Sequence, residues 1–117
     1  MENTDLALQD IERAEKTGTY LEYLQAFKGE IALWQHQPQT AVTLLQQATQ
    51  QRPSDGSFQR ILALALLANG NAEAFATMET GLKLTYRKKD VEGTLEKLGK
   101  LVRIYGNVLN LHRCERC

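Results

Sequence analysis

Little in this chain cross-links or interrupts it. Of 117 residues two are cysteine, and both fall in the last four positions, as Cys114 and Cys117. Thiols so placed make no disulfide framework, so a packed core must hold the fold. Pro38 and Pro53 are the two prolines, which leaves long stretches free of helix breakers. Val and Ile are thin, as are the aromatics at 7%, and that argues against a sheet. The longest apolar run, Ile61 to Ala68, is far too short to span a bilayer, so no membrane role is expected. Met1 to Asp5 offers neither a basic start nor an apolar stretch, so no signal peptide is expected and the cytoplasm is the expected compartment. Charge of either sign is not in excess: 14 Lys and Arg balance 14 Asp and Glu.

What is plentiful is Ala, Leu, Gln, Glu and Lys, a helix-forming mixture. At 43% hydrophobic and 24% charged the composition is that of an ordinary globular domain, or of a few repeats of an open array. The charge is uneven along the chain. Residues 1–58 hold 4 basic and 8 acidic residues, and residues 59–117 hold 10 and 6. The carboxy-terminal half thus favours an acidic partner. Lys83, Arg87, Lys88 and Lys89 cluster, but no aromatic-basic interleaving accompanies them, so nucleic acid is not the expected ligand.

Helical periods run the length of the chain. Leu6, Ala7, Ile11 and Ala14 predict a first helix over about Thr4 to Lys16, ended by Gly18. Thr19 and Glu22 form a capping box for a helix to about Gln35, with Leu24, Phe27, Ile31 and Trp34 inward. Pro38 suits the first position of the next helix, which turns Ala41, Leu44, Leu45 and Ala48 inward and its glutamines outward. Pro53-Ser54-Asp55-Gly56 is a turn with two possible caps. The helix through Ile61 to Ala68 should be the most buried. Asn69-Gly70-Asn71 ends it and caps the next, whose expected inner side is Ala74, Phe75, Met78, Leu82 and Tyr86. With no breaker between Tyr86 and Asp90, that helix is expected to run long. Asp90 is the expected cap of a sixth helix carrying Leu95, Leu98, Leu101, Val102 and Tyr105. Val108 to Cys117 is a short last helix or a tail.

Small residues recur at fixed intervals through these helices. Gly29, Ala41, Ala48 and Pro53 are spaced by 12, 7 and 5, and Ala63, Ala74 and Gly81 by 11 and 7. Leu62-Ala63 with Gly70-Asn71 parallels Leu98-Gly99 with Gly106-Asn107. With Leu45, this set resembles the tetratricopeptide repeat family, in which small residues let two antiparallel helices cross closely. The resemblance implies an all-α fold of antiparallel helix pairs stacked as a short right-handed superhelix, an α-solenoid. It divides the chain into the second helix of a partial repeat (1–21), two repeats (22–55 and 56–91) and a further partial repeat (92–117). The chain departs from the family pattern where Gln25 or Gln59 replaces the usual tryptophan and His36 the usual turn glycine.

The resemblance also implies a concave groove lined by the first helix of each pair. By position this carries Tyr23, Ala26, Glu30, Leu33 and Trp34, then Arg60, Leu64, Leu67 and Ala68, then Glu96, Lys100, Arg103 and Ile104. Relatives that grip the acidic tails of heat-shock chaperones use Lys and Asn where Ala26 and Glu30 stand, so that clamp is not expected. The implied function is a non-enzymatic module, an adaptor, scaffold or small chaperone, that holds a protein or peptide segment. The alternative is a self-assembling structural fragment of a longer repeat protein. Its apolar ends and oppositely charged halves make a salt-sensitive homo-oligomer an expectation. No nucleophile or carboxylate pair lies at a telling spacing, and no phosphate loop is present, so no enzyme activity, small-molecule substrate or cofactor is expected. His112, Cys114 and Cys117 supply three potential zinc ligands without a fourth in reach, and no metal is expected.

Overall fold

The computed structural model describes residues 21–106 together with Leu8, Gln9, Glu12 and Arg13, the last four all helical. Residues 21–106 form α1 (Leu21–Trp34), α2 (Pro38–Gln51), α3 (Gly56–Ala68), α4 (Glu73–Lys83) and α5 (Lys88–Tyr105). No strand occurs among the described residues, and the fold there is all-α. Most of the helix expected over Thr4 to Lys16, the capping residue Thr19 and the segment Val108 to Cys117 lie outside the described residues.

Local chemistry sets the helix ends. Pro38 opens α2, where its missing N–H is no loss. The Asp55 carboxylate caps α3, accepting from Ser57 N at 3.0 Å and Phe58 N at 3.2 Å. Asn71 Oδ1 accepts from Glu73 N at 2.8 Å ahead of α4. Helices α1 and α3 end in the same way. Gln37 N donates to Ala32 O, and Asn71 N to Leu66 O, each at 2.9 Å. The residue before each donor is left-handed, His36 at φ 63° and Gly70 at φ 74°. These are Schellman endings, and they stand 34 positions apart.

Two expectations about the later helices fail. Helix α4 does not run on through Tyr86. The Thr85 hydroxyl donates to Gly81 O at 2.7 Å. Thr85 N turns instead to Leu82 O at 3.0 Å, and the helix stops at Lys83. Nor does Asp90 cap α5. The cap position is Arg87, without a side-chain bond, and Asp90 sits in the first turn, 4.0 Å from the Arg87 guanidinium.

Helix α3 is the centre of the packing. It pairs with α4, lies against α2, and also touches α1 and α5. Phe58, Leu62, Leu64 and Leu66 are buried along it, as its apolar run required. The other close pair is α1 with α2. Connections of three or four residues make each of these pairs antiparallel. Glycine is needed at both crossings. A Cβ on Gly29 would stand 2.8 Å from Leu45 Cγ, and one on Gly81 would stand 2.8 Å from Arg60 Cγ and 3.0 Å from Arg60 N. Ala41, Ala48, Ala63 and Ala74 are buried around them.

Several residues expected to face inward do not. Phe27, Phe75, Leu82, Tyr86, Leu95 and Val102 are exposed, Phe75 at 73% and Tyr86 at 90%. In α1 the buried stripe runs through Ala26, Gly29 and Leu33, which turns Phe27 outward. Among the described helices α4 has one close neighbour, and it buries only Ala74 and Gly81 fully. Tyr86 lies past its end. Helix α5 leans on α3, with Leu101 and Tyr105 buried and Leu95 facing away.

Candidate interaction surface

Helices α1, α3 and α5 form a wedge that is shut at one end. The carboxy-terminal half of α5 closes on the carboxy-terminal half of α1. The Tyr105 hydroxyl donates to Leu33 O, and its ring lies 4.8 Å from the His36 ring between centroids. One turn or more earlier, Lys100 Nζ stands 4.4 Å above the Trp34 ring. Glu30 Oε2 accepts from Trp34 Nε1 at 3.2 Å and pairs with Lys97 Nζ at 3.0 Å. Burial raises the Tyr105 hydroxyl above the usual tyrosine pKa of 10.0, with a hydrogen bond from the His36 backbone opposing the shift.

Ahead of that closure two recesses open over the first half of α3. One, of about 210 Å³, is walled by Tyr23, Ala26, Phe27, Phe58 and Ile61. Tyr23 stands edge-on to Phe58 at 5.4 Å, and the Arg52 guanidinium lies 4.7 Å over its ring. The other, of about 280 Å³, is walled by Arg60, Arg87, Lys89, Asp90, Gly93 and Thr94. Ser57, Ile61 and Lys97 belong to both, so the two recesses adjoin.

The residues anticipated for a groove are sorted by this geometry. Glu30, Trp34 and Lys100 come together, but as the contacts that shut the wedge. Tyr23 and Arg60 each line a recess. Leu33 and Leu64 are core side chains with no exposed surface to speak of, and Leu67 packs half-buried against that core. Arg103 is exposed near the end of α5, away from both recesses. Sequence reading missed Phe27, Phe58, Ile61, Lys97 and Tyr105. Arg87 and Lys89 had a signal, the basic cluster at 83–89, which reads as a solvated face until α5 is seen to start there.

No group of three or more His, Cys, Asp or Glu among the described residues is placed to hold a metal ion, and His112, Cys114 and Cys117 lie outside them. No helix among the described residues is long and apolar enough to cross a membrane. The chain matches no family model, no curated protein and no solved structure.

Proposed function

We propose that this chain is a non-enzymatic interaction module, an adaptor, scaffold or small chaperone of tetratricopeptide type, which holds a segment of another protein in the wedge between α1, α3 and α5. The observation that carries this reading is the pair of adjoining recesses, one apolar and one basic, at the open end of the wedge. Exposed Tyr23 and Phe27 border the apolar one, and aromatic side chains beside a pocket are typical anchors of protein interfaces. The matched turns at His36 and Gly70 and the glycine crossings support the repeat assignment. Phe27→Asp alters the apolar recess without touching the core. In affinity capture from cell extract, partners held by the wild-type chain should be lost by this variant. An identical set of captured proteins would remove the wedge from the function.

The alternative, self-assembly, is favoured by α5. Leu95 and Val102 are exposed seven residues apart on one face, and Gly99 between them has no near neighbour among the described residues but Arg103. Light scattering across a concentration series should then show a rising mass that salt lowers. A constant monomer mass would end this alternative.

A further inference from the structure

We infer that the basic recess is an anion subsite centred on Arg60, built to take a carboxylate of a bound peptide; this rests on the interaction reading above and names the chemistry of the partner. Arg60 is more than nine-tenths buried, its stem pressed against Gly81 where α3 crosses α4. Its Nη1 donates to Thr85 Oγ1. The Thr85 hydroxyl has already given its proton to Gly81 O, so it offers Arg60 a lone pair and nothing more. Arg60 Nε is buried and has no partner among the described residues. No carboxylate among the described residues pairs with the guanidinium.

An arginine cannot shed its charge on burial as a lysine can, and Thr85 is a neutral partner, so a buried guanidinium with no carboxylate beside it favours an outside anion. If packing alone were required at this position, the stem of a methionine would supply it without stranding a donor. The recess beside Arg60 is lined by three more cations, Arg87, Lys89 and Lys97, against the one carboxylate Asp90. Lys97 is engaged by Glu30 at 3.0 Å, and Arg87 faces Asp90 at 4.0 Å. Arg60 and Lys89 are left without an acidic partner among the described residues. Asp90 in the wall, with Glu30 already on Lys97, suits a single negative charge better than a phosphate dianion. Because Ile61 and Ser57 join this recess to the apolar one, the matching segment carries Asp or Glu close in sequence to a large apolar residue. Ala26 and Glu30, where the chaperone-tail clamp would have its Lys and Asn, line the other recess, so this subsite is a different one.

The test is selection of a phage-displayed library of random short peptides on the full chain, followed by titration of the best synthetic peptide. The expected result is enrichment of an acidic residue beside an aromatic or aliphatic one. Changing that acid to its amide should weaken binding by about tenfold or more, as for a desolvated charge pair. On Arg60→Met, which keeps the stem, the same change in the peptide should make less than about a twofold difference. If Arg60→Met does not fold by circular dichroism, Lys89→Glu gives the same comparison from the rim. Peptides selected without acidic enrichment, or an acid-to-amide loss equal on wild type and variants, overturn the subsite and leave the wedge standing. Failure to select any peptide that Phe27→Asp abolishes overturns the wedge reading and the subsite with it.

Discussion

The two helical hairpins meet the same crossing problem with glycine on opposite helices. In α1–α2 it is Gly29 on the first helix, and what an added side chain would strike is the Leu44 and Leu45 side chains. In α3–α4 it is Gly81 on the second, and the obstruction includes the Arg60 backbone nitrogen. Side chains can change rotamer and backbone cannot, so the second crossing is the more rigid. The hairpin turns differ in the opposite sense. Gly70 takes its left-handed φ freely, whereas His36 takes the same φ against the preference of its Cβ. The ring of His36 lies against Tyr105, a support that the Gly70 turn lacks and does not need.

The largest effects should come from filling the crossings. Gly29→Leu is expected to lose about 2–3 kcal/mol by urea unfolding, and Gly81→Leu more. Equal losses would mean that both crossings yield alike. Next comes the tie between α5 and the first hairpin. Tyr105→Phe removes a buried donor and should cost about 1–2 kcal/mol. It should also change the response to alkali. The folded pKa of Tyr105 is raised, so its stabilising share is whole below pH 10.0 and declines as the pH climbs above that toward the folded value. Wild type should therefore lose more stability than Tyr105→Phe on moving above pH 10.0. Matching alkaline losses would show that the hydroxyl ionises as readily folded as unfolded.

The turns offer a finer comparison. Gly70→Ala meets no atom within 4 Å, so its cost is purely the strained φ, about 1 kcal/mol. His36→Gly relieves that strain but gives up the Tyr105 ring, and the net change should stay within about 0.5 kcal/mol. A gain of more than that would mean that the ring contact contributes nothing. Smallest is Lys97→Gln, which removes a half-exposed pair with Glu30 and should cost about 0.5 kcal/mol at low salt and less at high salt.

The helices and their crossings were legible because each rests on local sequence. Period, proline, the Asp55 cap and the small residues all act within a few positions. The sidedness of the outer helices was not. Phe75 and Leu82 fit the inward period of α4, yet that period cannot say how many neighbours the helix has, and among the described helices it has one close partner. The wedge was half legible. Glu30, Trp34 and Lys100 were named for it, but their mutual contacts depend on the angle at which α5 leaves Arg87, which no local signal fixes. Arg60 was named by position alone. Its stranded Nε follows from the meeting of Gly81, Thr85 and α3, which sequence spacing does not reveal.

The bond from Tyr105 to Leu33 spans 72 positions, whereas the two close hairpins join neighbours in the chain. Contacts between neighbours form early, because little chain must be ordered to bring them together. Closing a loop of that length costs more entropy than closing either hairpin. The expected order of assembly is that each hairpin forms on its own residues, α3 seats against α2, and α5 is drawn across last. Among the described helices, the wedge that α5 completes is therefore expected to form last and to open first.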